Sequence, residues 1–190
     1  MSFFQKRSVA TLIAVILVLV STTMSVNVKF GTQVRQVTDS FYSATSTETY
    51  NQKSISSHLN NLCAYTDGLV TIANNYDIDT EDAEWASRSL KLAMSYSREE
   101  ISYIYSCYSD LTMQADKLVD QLYRAELNER DASGLTQYES SIEEAKSAIE
   151  SAAGSYNDTV REFRLKYDHF PTDSLAEMAD VEMPEYFAYG

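Results

Sequence analysis

Residues 8–28 form a run of twenty-one residues without a charged side chain, and Lys6 and Arg7 stand immediately before it. Residues 9–20 contain only Val, Leu, Ile, Ala and one Thr. A helix needs about twenty predominantly apolar residues to cross a hydrocarbon core, so the run is long enough to span. Two readings fit it. A removable secretory signal also has a basic start, a short apolar stretch and a small-residue cleavage site. No Ala-x-Ala follows here, and the uncharged stretch continues through Met24, Val26 and Val28 before Lys29. The balance favours an uncleaved anchor, with the lipid bilayer as a partner through residues 8–28. Lys6 and Arg7 favour the cytoplasmic side, which directs the rest of the chain outward; Lys29 and Arg35 on the other flank oppose this.

Everything after the anchor is polar and helix-patterned. No Gly or Pro stands between Gly68 and Gly134, an interval without a breaker that points to an all-helical design. A helix start is expected around residues 77–82, where Asp77, Asp79 and Thr80 can cap and Glu81, Asp82 and Glu84 meet the positive end of the helix dipole. From there a three-four spacing runs through Ala83, Ser87, Leu90, Met94, Ser97, Ile101, Ile104, Tyr108, Leu111, Ala115, Leu118, Leu122 and Ala125. Eleven of these thirteen positions are apolar, which predicts one sustained coiled-coil-like helix over residues 80–130.

A further helix is expected from Leu135, with Thr136 and Glu139 at capping-box spacing. Its seam reads Leu135, Tyr138, Ile142, Ala145, Ile149, Ala152, Tyr156, Val160, Phe163, Tyr167 and Phe170, and Pro171 closes it. The first helix should continue out of the anchor, break near the Ser/Thr-rich residues 46–52 and run on to Tyr76. Residues 28–76 and 80–130 match in length and would pair antiparallel over roughly 75 Å. The fold class expected is therefore all-α: an N-terminal transmembrane helix continuing into a long antiparallel up-down helical bundle. It has three long helices, or four if the first or middle one breaks. The domains are an anchor (1–28), the bundle (29–170) and an acidic, aromatic tail (171–190).

The C-terminal stretch carries a resemblance. Tyr156-Asn157, Val160, Phe163, Phe170-Pro171, Leu175-Ala176 and Tyr186-Phe187 are similar to the closing signature of the LemA family, which has one N-terminal membrane helix and a helical-bundle domain. Gly68-Leu69-Val70 resembles that family's mid-helix Asn-Leu-Val segment. Phe163-Arg164 stands where the family has a second Tyr-Asn, and its Tyr-Pro is missing around residues 126–131, which marks a divergent member. The resemblance implies a bacterial cell-envelope protein and no particular activity. Tyr156 and Val160 lie on the seam, so the signature reads as structural.

Chemistry is sparse. The net charge of −13 leaves no basic stripe to neutralise phosphates, so no nucleic-acid partner is expected. His58 and His169 lack an acidic residue three positions upstream, the spacing that builds metal sites in bundles; no metal, cofactor or catalytic residue is assigned. Cys63 and Cys107 invite a disulfide in an oxidising compartment. The long-hairpin register instead separates them by about 20 Å, which predicts two free, semi-buried thiols. One acidic cluster, Asp77, Asp79, Glu81, Asp82 and Glu84, reads as helix capping and solubility, or as a docking point for a basic partner. A second, Asp168, Asp173, Glu177, Asp180, Glu182 and Glu185, is placed at the same, membrane-distal end by a three-helix path. Asn157-Asp158-Thr159 spells a glycosylation sequon within a helix. The expected function is a non-enzymatic, membrane-anchored protein that self-associates into a homo-oligomeric structural assembly. The alternative is an adaptor for another envelope membrane protein, a protease or sensor, through the acidic distal end.

Overall fold

Apolar residues at helical spacing give each segment of the chain a stripe to bury, and beyond the N-terminal run the stripes are buried by folding helix on helix. The computed structural model describes residues 7–43, 46–47, 50–51, 53–98, 100–167, 174, 177 and 181–187. Among these are five helices: α1 (Arg7–Tyr42), α2 (Ile55–Asn74), α3 (Glu81–Tyr96), α4 (Ile101–Tyr123) and α5 (Glu129–Tyr167). Two-residue strands, β1 (Ser46–Thr47) and β2 (Tyr50–Asn51), pair antiparallel between α1 and α2. The chain forms two units, one of Met1–Val37 with Arg161–Pro184 and one of Thr38–Val160 with Glu185–Gly190.

In the first unit, α1 is long and apolar enough to cross a membrane, a test that a signal sequence also passes. Leu12, Val15, Ile16, Leu17, Val18, Val20, Met24 and Val28 are all at least half exposed. Contiguous apolar exposure of this kind marks a surface that needs a partner. Its C-terminal part is covered differently. The Phe30 ring lies 5.5 Å from Phe163 and 5.1 Å from Tyr167 on α5, and the Arg164 guanidinium donates twice to the Pro184 carbonyl, at 3.1 and 3.0 Å.

In the second unit, α2, α3 and α4 pack mutually. Asp67 of α2 accepts from Ser87 and Lys91 of α3, and Asp82 of α3 pairs with Lys117 of α4. These pairings fix both neighbours as antiparallel. The helix expected over 80–130 is therefore two helices folded into a hairpin. Ten of the thirteen seam positions are buried; Ser97, Tyr108 and Ala125 are partly exposed. Ser97 is one of only two non-apolar members of the seam, and the stretch 97–100 carries nothing for a core to hold. Folding back there lets the stripes of α3 and α4 share one core with α2. The extended register, and with it the 75 Å length and the cysteine spacing argued from it, does not hold. At 1.5 Å per residue, α3 and α4 are roughly 24 and 35 Å long.

α5 also begins earlier than expected. Asn128 caps it by accepting from the Asp131 N–H at 2.9 Å, while its amide donates to the Asp131 carboxylate at 2.8 Å. The Tyr76 hydroxyl, at the end of α2, donates to the same carboxylate. Gly134 consequently lies inside α5 and ends nothing. Thr136 is internal too, donating to the Ala132 carbonyl, and Glu139 accepts from the Tyr123 hydroxyl rather than capping. α5 pairs with α4 through Lys146, which bridges Asp116 at 2.6 Å and Glu143 at 2.8 Å. It lies so close to α2 that a Cβ on Gly68 would sit 2.4 Å from the Tyr138 ring. Gly68 is there to let that ring lie flat on α2.

Candidate functional site

Two clusters in the second unit hold aromatic and charged side chains together, and they differ in accessibility. The first is closed. Phe187 is 1 % exposed, with its ring 5.2 Å from Phe41, 5.3 Å from Tyr105 and 5.8 Å from Tyr108. The chain reaches this position because α5 grips it. The Asn157 side chain accepts from the Phe187 N–H at 2.8 Å and donates to its carbonyl, while Tyr156 donates to the Glu185 carbonyl at 2.9 Å. The Glu185 carboxylate accepts from the backbone N–H and hydroxyl of Ser102, at 2.8 and 2.7 Å. It thereby satisfies a donor at the start of α4, where Glu100 makes no side-chain cap.

The Tyr-Asn pair is thus a clamp on residues 185–187. Glu185 sits at the end of this unit where α2 and α4 begin. The Asp77–Glu84 cluster lies at the other end, where α2 gives way to α3. Of the second acidic cluster only Glu185 lies in this unit, at the end opposite the first cluster; Glu177 and Glu182 belong to the other unit. Asp168, His169, Phe170, Pro171, Asp173, Leu175, Ala176 and Asp180 lie outside the described residues.

Much of the first acidic cluster is consumed by turn architecture. Asp77 adopts a left-handed backbone (φ 51°), which turns the chain so that the Ile78 N–H reaches back to the Ala73 carbonyl, a Schellman-type stop for α2. Asp79 accepts from the Glu81 N–H, and Glu84 accepts from the Thr80 hydroxyl. Glu81 and Asp82 remain on the outer surface. With Trp85, Ala86, Asp110, Met113 and Gln114 they line an open groove of about 350 Å³ between α3 and α4.

This is the second cluster. Trp85 is 63 % and Met113 58 % exposed. Trp85 begins a stripe: Leu92 and Tyr96, seven and eleven residues on, are also exposed and fall on the same face of a 3.6-residue helix. The outer face of α3 thus carries three exposed apolar side chains interrupted by Arg88 and Ser89, while its inner apolar face is covered. The seam reading passed over the outer stripe because it followed a single phase. The seven-four spacing of Trp85, Leu92 and Tyr96 was the signal for it.

The remaining candidates are the two cysteines and His58. Cys63 and Cys107 are free and buried, with the Cys63 thiol 3.8 Å from the Ser87 carbonyl; burial pushes that thiol up to about 11. Partial burial and the nearby Lys53 charge hold His58 below its ordinary value. Among the described residues no three His, Cys, Asp or Glu side chains converge as a metal site would require. No family model matches the chain, and no curated protein and no solved structure matches it at a significant level.

Proposed function

We propose that this chain is a non-enzymatic, membrane-anchored helical-bundle protein, a divergent relative of the LemA family, whose work is self-association into a homo-oligomeric assembly of the cell envelope. In this reading α1 stays embedded through residues 8–28 and the bundle faces outward. The observation that carries it is the outer stripe of α3, Trp85, Leu92 and Tyr96, with the exposed Met113 of α4 beside Trp85. Exposed apolar side chains gathered on one helix face mark a surface that takes a partner, and a stripe at seven-four spacing suits another helix. Anchoring confines copies to two dimensions, which raises their effective concentration without any new contact. Light scattering on full-length protein extracted in mild detergent tests this. An oligomer is expected that dissociates in the Leu92→Glu, Tyr96→Glu double variant; a wild-type monomer defeats the reading.

A second reading, an adaptor for another envelope protein, is favoured by one observation: the groove at Trp85 is rimmed by Glu81, Asp82 and Asp110, which suits a basic partner better than another copy of an acidic chain. Neutralising Asp77, Asp79, Glu81 and Asp82 together should abolish a cross-linked partner at low salt. An unchanged cross-link removes this alternative.

A further inference from the structure

The groove between α3 and α4 combines three features that a solubilising surface does not need together. Its floor is apolar, from Trp85, Ala86 and Met113; its rim carries the carboxylates of Glu81, Asp82 and Asp110; and its aromatic is the only Trp in the chain. Ala83, Ala86, Ser87 and Leu90 of α3 turn to the core. Trp85 faces outward beside the carboxylates.

We infer that this groove binds an arginine side chain presented by a partner protein, the guanidinium stacked on the Trp85 ring and hydrogen-bonded to Asp82 and Asp110. The inference rests on the adaptor reading and names its chemistry. A ring face attracts cations, Trp most strongly and guanidinium more often than ammonium. Guanidinium is planar, so it can stack on the indole while its edge donates to carboxylates in the same plane. A lysine ammonium offers charge without the stacking. A quaternary ammonium cannot donate hydrogen bonds, and its recognition relies on a cage of several rings, whereas the residues lining this groove include one ring and three carboxylates.

The complementarity is of sign as well as shape. Lys117 reaches Asp82 at 3.1 Å, with both side chains more than half exposed, and Arg88 stands exposed one turn after Trp85. The Lys117–Asp82 pair is weakly held and screened by water, so an incoming guanidinium can share or take its carboxylate. The groove retains an acidic surplus with Lys117 in place.

Because Trp85 is the sole Trp, its fluorescence reports on this groove and no other. The full-length protein, in a nonionic detergent without choline groups, is titrated with an uncharged Gly-Ser peptide carrying two arginines. The counterparts carry lysine or the uncharged isostere citrulline. The arginine peptide should give a saturable, salt-sensitive change in Trp85 emission. The lysine peptide should bind at least fivefold more weakly, and the citrulline peptide should give no saturating signal. In the Asp82→Asn, Asp110→Asn double variant, arginine-peptide affinity should fall at least tenfold while the helical circular dichroism at the assay temperature stays that of the wild type.

Equal response to citrulline, wild-type affinity in the double variant, or no saturation with any peptide overturns the inference. So does equal competition by tetramethylammonium, which would assign the groove to a small cation. A photo-crosslinker at Gln114 separates the two levels of claim. Partners trapped in cells without arginine-peptide binding overturn the guanidinium assignment and leave the adaptor reading standing. Arginine-peptide binding without a trapped partner upholds the groove's chemistry and removes the adaptor.

Discussion

Phe187 and Trp85 are both large aromatics beside carboxylates in the same helical unit, yet one is sealed and the other left open. Phe187 is 1 % exposed and Trp85 63 %. Around Phe187 every polar group brought along has a job: Asn157 binds both sides of its backbone, and Glu185 supplies a missing cap to α4. Around Trp85 the acids Glu81, Asp82 and Asp110 line an open groove, and the pair that Asp82 makes with Lys117 is exposed to water. An aromatic that closes a fold recruits its neighbours as partners, whereas one that serves a surface leaves them available. That contrast assigns stability to the first cluster and recognition to the second.

The largest expected effect comes from opening the sealed cluster. Phe187→Ala removes a buried ring from between Phe41, Tyr105 and Tyr108, and such truncations cost about 3–5 kcal/mol. Asn157→Ala, which leaves the ring but deletes both backbone bonds, should cost about 2 kcal/mol. Urea unfolding of the two variants checks the order. If Phe187→Ala costs less than 1 kcal/mol, the chain's end is a loose tail and the contrast with Trp85 fails.

Next in size is a pH effect from the packed interior. Burial between α2 and α3 raises the Cys63 thiol from 9.0 to about 11, while Lys91 pulls it slightly back. A raised folded-state value means the unfolded chain loses this proton first as pH climbs. The associated stability is complete below about pH 9 and is lost as pH rises through about 11, a change on the order of 3 kcal/mol for two units. Other groups titrate over this range, so the measurement is the difference between the wild type and Cys63→Ala. The wild type should lose stability more steeply from pH 9 to 11, and parallel curves would show that Cys63 is wetter than the packing indicates.

How much of this was legible in the sequence depends on whether the information was local. The apolar run of α1 and the acidic start of α3 are written in consecutive residues, and both were read from them. The buried phase of α3 and α4 was also right, because the three-four spacing reports which face is covered. It cannot report by what. A stripe covered by a distant helix and one covered by its own continuation folded back have the same period, so the reversal at 97–100 stayed hidden. The start of α5 is also local, since Asn128-x-x-Asp131 has the spacing of a reciprocal cap, but Gly134 six residues on carries the stronger signal for a break and masks it.

The clamp on Phe187 was illegible for a different reason. Its contacts join residues 29, 30 and 83 apart, and nothing in Asn157 alone says what it will hold. The seam placed Tyr156 in the core, but the partner of its hydroxyl is a property of the fold.

A smaller effect tests the close approach of α5 to α2. Ala normally improves on Gly within a helix by about 1 kcal/mol. At Gly68 the added Cβ would fall 2.4 Å from Cζ of Tyr138, and overpacking of this kind costs about 1–3 kcal/mol. Gly68→Ala should therefore destabilise the wild type by about 1 kcal/mol. In a Tyr138→Ala background the obstruction is gone, and the same change should stabilise by about 0.5–1 kcal/mol. A double-mutant cycle reads this reversal as coupling; equal effects in both backgrounds would mean the ring swings away at no cost.

The smallest effect on stability should come from the largest side chain changed. Trp85→Ser deletes an indole, yet most of that surface already meets solvent, so little apolar area is returned to water on unfolding. Surface substitutions away from caps and cores usually stay within about 0.5 kcal/mol, and the melting temperature should move little. Association, whether with a second copy or with an arginine-bearing partner, should weaken severalfold, because aromatic anchors at the centre of a contact carry a disproportionate share of binding energy. Ser is preferred to Ala for the test because it keeps the face soluble and does not raise helix propensity. The decisive pattern is dissociation without destabilisation, the inverse of what Asn157→Ala should do: lower the unfolding midpoint and leave association untouched. If Trp85→Ser instead unfolds the unit, the indole is held against α4 as a structural brace, and the open cluster is a second closed one.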